Sequence, residues 1–136
     1  MSEAFVHEYA CRVRWSDVDA FGHVNNVKYF EYFQESRINF LTRFANMSGG
    51  RTLVVARVTV DYKRPIFFRS EAYPIRTRVV RRGKSSFEVY SEIVDGDLVL
   101  AHASAVLVGF DAEGQRSRVF TDGETDYLDR MIAAAE

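Results

Sequence analysis

The sequence predicts an α+β fold, a curved antiparallel β-sheet wrapped around one long central helix. Three features predict it. Between Val27 and about Asn46, the polar residues Lys28, Glu31, Glu35, Asn39, Thr42 and Asn46 recur at helical spacing and form one narrow stripe. Nearly everything else there is apolar (Tyr29, Phe30, Tyr32, Phe33, Ile38, Phe40, Leu41, Phe44). A helix apolar over most of its circumference is one that other elements surround. After Ser48-Gly49-Gly50, a helix stop, the hydrophobic period changes to two. Finally, Ala101, Ala103 and Ala105 line one face of the last long strand, where small side chains let a helix approach closely.

The elements follow in order. Residues 5–15 read as a first strand, and the helix comes next. Four long strands are predicted after it, at roughly 52–63, 70–82, 85–95 and 98–110. In the first of these Val54, Ala56, Val58 and Val60 alternate with Val55, Arg57, Thr59 and Asp61. Arg82-Gly83-Lys84 and Asp95-Gly96-Asp97 read as hairpin turns, with glycine supplying positive φ. Asp111 to Gly114 is a further turn, leading to a short strand ending near Phe120. Thr121 and Glu124 have the spacing of a capping box for a final helix through Met131 and Ile132. The expected arrangement is a four- or five-stranded antiparallel meander. One sheet covers such a helix only by curling around it, and it keeps a free edge that a second copy can pair with.

With 136 residues and neither a low-complexity linker nor an internal repeat, the chain reads as one domain, residues 1–136. At 47% hydrophobic and 27% charged, its composition is that of an ordinary globular protein. No run approaches the roughly 18 apolar residues of a membrane span. The acidic N-terminus MSEAFVHEY does not read as a secretion signal. Cys11 is the only cysteine, which rules out an internal disulfide and suits a reducing cytoplasm; it reads as a small buried hydrophobe. Metal binding is not expected, because His7, His23 and His102 are scattered. Charge is distributed unevenly: between Arg57 and Lys84 nine basic residues stand against two acidic ones, +7 in a chain of net −1. Such a block suggests an anionic partner. Nucleic acid is not the expected one, since the whole chain is slightly acidic and carries no recognisable binding motif.

The chemistry concentrates where the helix begins. Asn25 or Asn26 is a good N-cap, and the backbone N–H groups just beyond it lack intrahelical partners. With the positive end of the macrodipole they suit an oxygen that is becoming negative, the requirement of acyl transfer. Asp19 lies a few residues upstream in a loop held tight by Gly22. A carboxylate there serves as general base on water, as nucleophile, or as a hydrogen-bonded loop residue. Asp17 and Asp19 are two apart, so in extended backbone only one faces the site, and Asp17 reads as the loop residue. His23 reads as a residue that hydrogen-bonds to hold the loop; polarising a carbonyl or shuttling a proton are its other options.

The stretch DVDAFGHVNNVKYFEYFQESR, residues 17–37, resembles the signature D-x-D-x-x-G-H-x-N-N-x-x-Y of the hotdog-fold acyl-CoA thioesterases, in the 4-hydroxybenzoyl-CoA thioesterase-like group. VDYKRPIFF and RRGKSSFEVYSEI resemble the same group's later strands. The resemblance implies that Asp19 is the catalytic carboxylate and that the backbone N–H near Asn26 polarises the thioester carbonyl. It implies that Gly22 keeps the loop close to the substrate and that Tyr29 lines the acyl pocket. In RRGKSSF, Arg81, Arg82 and Lys84 match a region that touches the phosphates of coenzyme A, with Ser85 a possible hydrogen-bond donor. Arginine suits phosphate because its planar fork binds two oxygens at once. His23-Val24-Asn25-Asn26 departs from the 4-hydroxybenzoyl-specific enzymes and resembles the branch acting on fatty and other acyl thioesters. That gives His23 and Asn25 a place in the site.

The expected protein is therefore a cytoplasmic acyl-CoA thioesterase, a homodimer or homotetramer that uses no cofactor. Asp19, His23 and Asn26 carry the chemistry; Gly22, Asn25, Tyr29, Arg81, Arg82, Lys84 and Ser85 bind substrate. Phe5, Phe33, Phe67 and Phe68 are further candidates for shaping the acyl pocket. Three alternatives stand beside it: a thioesterase for acyl groups on carrier protein, a hydratase or dehydratase of hydroxyacyl thioesters, and a non-catalytic acyl-CoA-binding module.

Overall fold

The computed structural model describes residues 4–47 and 51–135. Its elements are β1 (His7–Cys11), a single 3₁₀ turn (Trp15–Asp17), α1 (Lys28–Met47), β2 (Thr52–Tyr62), β3 (Tyr73–Arg82), β4 (Ser86–Asp95), β5 (Leu98–Asp111), β6 (Arg116–Ser117) and α2 (Asp122–Ala135). The Ser48-Gly49-Gly50 stop lies outside the described residues. Among the described residues, no helix is long and apolar enough to cross a membrane.

All the strand pairs are antiparallel, in the order β1-β3-β4-β5-β2, with β6 on β5. This differs from a sequential meander. β3, β4 and β5 do follow one another through short connections; Gly96 is at φ 60° in the second, whereas Gly83 in the first is outside the left-handed region, contrary to expectation. β2 instead crosses to the far edge beside β5. Residues 63–72 connect β2 to β3 without a tight turn, so nothing local forces those two strands to pair. β1 takes the place next to β3. It is shorter than expected because β3 begins only at Tyr73, opposite Cys11. Just before it, Arg69 holds residues 69–72 in a turn by donating to the carbonyls of Glu71 and Ala72.

The helix buries one face. Tyr29, Tyr32, Phe33, Ser36, Phe40 and Phe44 are buried, at the spacing of a single stripe. Phe30 and Ile38 remain 46% and 56% exposed, so the sheet of one chain does not surround α1. Ala101, Ala103 and Ala105 are buried on the inner face of β5, and Phe33 and Arg37 of α1 lie over Ala103 and Ala105 across a small cavity. Two core clusters divide the molecule by its length. One gathers Tyr29, Phe33, Ile66, Tyr73 and Ile93 beneath the start of α1; the other gathers Phe44, Phe87, Phe120 and Leu128 beneath its end. Cys11 belongs to the first, and burial pushes its thiol up to about 12, beyond reach as a nucleophile.

At the far end, the predicted capping box forms: the Thr121 N–H donates to Glu124 Oε1 at 2.8 Å and the Glu124 N–H to Thr121 Oγ1 at 3.2 Å. Arg118 adds a bidentate pair to the same carboxylate, at 2.8 Å on each oxygen.

Candidate active site

Residues 17–25 form a tight hairpin that delivers the chain to the start of α1. The Asn25 N–H donates to the Asp17 carbonyl at 2.8 Å, Val18 and Val24 bridge, and the Asp19 N–H donates to the His23 carbonyl at 2.8 Å. At the tip the Gly22 N–H returns to the Asp19 carbonyl. Gly22 sits at φ 83°, in the left-handed region where a side chain is strained, and this is how it holds the loop.

Asp19 lies half-buried inside that turn. Its Oδ1 accepts the N–H groups of Phe21 (2.9 Å) and His23 (3.3 Å). Its second oxygen, Oδ2, accepts no hydrogen bond among the described residues. One oxygen thus orients the carboxylate and the other is free to act. The two bonds to Oδ1 make Asp19 a loop-holding residue, as one reading of the sequence expects.

The Asn25 side chain caps the approach to the helix. Its Oδ1 accepts the Val27 N–H at 3.0 Å, and its carbonyl accepts the Lys28 N–H at 2.9 Å. Asn26 follows it, exposed, and its own N–H has no acceptor among the described residues. The Asn26 carbonyl is fixed by the Tyr62 hydroxyl at 2.8 Å. His23 packs edge-on against Phe67, with ring centroids 5.1 Å apart, and it is the backbone N–H of His23 that bonds to Asp19. Tyr29 is buried beneath: its hydroxyl accepts the Ile66 N–H, and its ring meets Tyr62 edge-on. Phe67 and Phe68 are partly exposed beside the loop with Trp15 and Phe21, whereas Phe33 is buried in the core and Phe5 lies by the far half of α1.

Asp17 is the part of this site that sequence reasoning read as an ordinary loop residue. It is 1% exposed and accepts the Tyr32 hydroxyl at 2.7 Å and the Arg14 N–H at 3.1 Å. Arg14 also meets its Oδ1 at 3.2 Å, with Lys28 at 3.9 Å. One carboxylate therefore ties the hairpin to both the 3₁₀ turn and α1. The available signal was the opposed direction of Asp17 and Asp19, which points Asp17 inward at Tyr32. Burial pushes the Asp17 carboxyl up, but the Tyr32 hydroxyl and the Arg14 backbone and guanidinium more than offset it, so its pKa lies below the usual range. A carboxylate depressed in the folded state stabilises above the unfolded pKa near ~4 and loses that contribution as pH falls through the native value. The melting-temperature gap between wild type and Asp17→Asn should therefore narrow as pH is lowered from about 6 toward about 2, measured by circular dichroism.

Arg81 and Arg82 end β3, and Lys84 and Ser85 lie in the turn into β4, at the opposite end of the sheet. β3 runs from Tyr73, whose hydroxyl bonds to Phe67 beside His23, to Arg82, a span of roughly 30 Å at ~3.3 Å per residue. Arg81 pairs with Glu88 at 2.8 Å, and Arg82 makes a bidentate pair with Asp129 of α2 at 2.7 and 2.9 Å. Lys84 has no ion pair among the described residues. The site residues thus fall into two groups, Asp19 to Tyr29 at one end and Arg81 to Ser85 at the other. Among the described residues, no three His, Cys, Asp or Glu side chains gather where they could hold a metal ion.

Known proteins share this fold and pattern. Residues 13–131 match the model of the thioesterase-like superfamily. The protein YsmA of Bacillus subtilis (strain 168) is 30% identical over 119 residues, covering 85% of this chain and 80% of its own. A thioesterase from Thermus thermophilus, solved with coenzyme A and zinc, superposes with a TM-score of 0.80 at 28% identity, covering 93% of this chain and 94% of that one. A thioesterase-superfamily protein from Jannaschia sp. CCS1 shares the fold at a TM-score of 0.81 and 23% identity, covering 95% and 84%. An antiparallel sheet packed on one long helix, a D-x-D-x-x-G-H hairpin and a match over nearly the whole chain lead to one conclusion: the chain belongs to the thioesterase-like superfamily, and it is a hotdog-fold thioester hydrolase.

Proposed function

We propose that the protein hydrolyses an acyl-CoA thioester to the free acid and coenzyme A. The observation that carries this reading is that a carboxylate oxygen on a closed hairpin and a backbone N–H just beyond its base both lack partners among the described residues: Asp19 Oδ2 and Asn26 N–H. The Asp19 Oδ2 takes a proton from water as the water oxygen bonds to the thioester carbonyl carbon. The carbonyl oxygen becomes negative beside the Asn26 N–H and the start of α1. Collapse of that intermediate breaks the C–S bond, and the coenzyme A thiolate leaves and takes up a proton. The same geometry serves direct attack by Oδ2, giving a mixed anhydride that water then hydrolyses. Gly22 and Asn25 hold the two groups in register, and His23 with Phe67 forms the wall beside them.

Coenzyme A as the leaving group is supported by the Thermus relative, crystallised with that molecule. In this reading Arg81, Arg82 and Lys84 receive its phosphates, with Ser85 donating a hydrogen bond and Tyr29 standing under the acyl chain. Since the two groups of residues lie at opposite ends of one chain, the substrate sits between subunits, its thioester at Asp19 of one copy and its phosphates at the turn of another. The outer edge of β2, unpaired in the single chain, suits the assembly of such a homo-oligomer in the cytoplasm.

The test is thiol release from short, medium, long and aromatic acyl-CoA substrates. Release from at least one supports the reading, and its absence from all of them, with carrier-protein thioesters cleaved instead, overturns the choice of coenzyme A. Lys84→Ala should raise KM for the best substrate several-fold while kcat changes little. Lys84 is chosen because, unlike Arg82, it holds no other part of the fold by an ion pair among the described residues; an unchanged KM would remove the turn from the phosphate site.

A further inference from the structure

A large concavity lies away from Asp19. The second half of α1, the inner face of α2 and the start of β1 enclose a groove of about 770 Å³, within the size range of small-molecule sites. Its nearest α1 residue, Asn39, is eleven positions beyond Lys28, roughly 16 Å along the helix at ~1.5 Å per residue. The groove flanks β1, on the edge of the sheet opposite β2.

The groove has an apolar floor and a cationic side. Phe40 and Tyr127 are buried in the floor, and Phe5, Val6 and Met131 extend it. Arg43 lines the side and makes no hydrogen bond or ion pair among the described residues. Arg14, Arg69, Arg76, Arg81, Arg82 and Arg118 have carboxylate partners, whereas Arg43, like Arg37, Arg57, Arg64 and Arg130, has none among the described residues; of these Arg43 is the one that lines the groove. No Asp or Glu lines the groove among the described residues. The Tyr127 hydroxyl also has no partner among the described residues. Arg43 and Tyr127 line the same groove; burial raises the Tyr127 pKa, and the positive charges of Arg43 and Arg130 act against that rise. His7, tilted against Phe40 with centroids 5.3 Å apart, adds a buried Nε2 without a partner among the described residues.

A guanidinium and a phenol donor lining one groove, over an apolar floor and with no carboxylate in its lining, suit an amphipathic anion. We infer that this groove is a second ligand site, for an amphipathic carboxylate: the carboxyl group on Arg43 and Tyr127, the apolar body along Phe5, Val6, Phe40 and Met131. A planar guanidinium fork matches a carboxylate bidentately, and the floor takes the hydrocarbon. The assignment rests on the groove alone and holds whichever thioester the Asp19 site cleaves.

The experiment is calorimetric titration of the whole protein with decanoate and, separately, with decanol. Wild type should bind decanoate saturably, and Arg43→Gln should weaken that binding at least about tenfold while leaving decanol binding unchanged. Ala134→Trp, an exposed change that fills the groove from α2, should abolish both. Thiol release at the Asp19 site should persist in Arg43→Gln, which separates this inference from the assignment of that site. Decanoate binding that is absent in wild type, or that survives both variants unchanged, overturns it; in the second case the acid is binding elsewhere.

Discussion

Asp19→Asn should release thiol at least about 100-fold more slowly than wild type, the loss expected when a general base is removed. The substitution is chosen for what it keeps. An asparagine Oδ1 still accepts the N–H groups of Phe21 and His23, so the turn and Gly22 stay in place. What changes is the second oxygen: an amide nitrogen replaces it, which neither takes a proton from water nor attacks a carbonyl. The fall should therefore appear in kcat, with the melting temperature and KM nearly unchanged. If turnover stays within about tenfold of wild type, the reacting group lies elsewhere and His23 becomes the next residue to replace.

The second large effect is on stability. Glu124→Ala should cost about 3–5 kcal/mol, the range for removing one partner of a buried pair. Glu124 is fully buried, and its oxygens receive both terminal nitrogens of Arg118 and the Thr121 N–H. Without it the mostly buried guanidinium keeps its charge and loses its only carboxylate among the described residues. For a domain of this size that corresponds to a fall of roughly 10–20 °C in melting temperature, read by calorimetry. Glu124→Gln should fall between, since it retains two acceptor lone pairs on one oxygen but no charge. A drop under about 3 °C for the alanine variant would mean that burial of Tyr127 and Leu128, rather than the Arg118 pair, fastens α2.

Features set by neighbours in the chain were legible in the sequence. The capping box at Thr121 and Glu124, the β3–β4 and β4–β5 turns, and the long helix all depend on residues a few positions apart, and all are found close to where the pattern put them. What required distant contacts was harder to read. Nothing in residues 63–72 reveals that β2 skips β3 to lie beside β5, because the choice is made by how the sheet folds over α1. Phe30 and Ile38 counted as buried in a helix read alone, yet the sheet reaches only one face. At the candidate site, Asp19, Gly22 and Asn25 share one short hairpin before α1, a local arrangement within reach of a reading along the chain. The grip of Asp17 on Tyr32 did not show, since Tyr32 read as one more core aromatic until α1 brought its hydroxyl over the hairpin.

The closure of that hairpin has a consequence for how the protein can change. The Asp17 carbonyl and the Asn25 N–H fasten its base, and the Asp19–His23 pair fastens it again one step further out. Ala20 and Phe21 lie beyond both fastenings, with Phe21 84% exposed. Substitutions at these two tip positions alter the surface an incoming molecule meets first and leave the carboxylate and the helix start at a fixed separation. The tip is free to vary on an unchanged base, whereas an insertion between Asp17 and Asp19 would break the register on which both backbone fastenings depend.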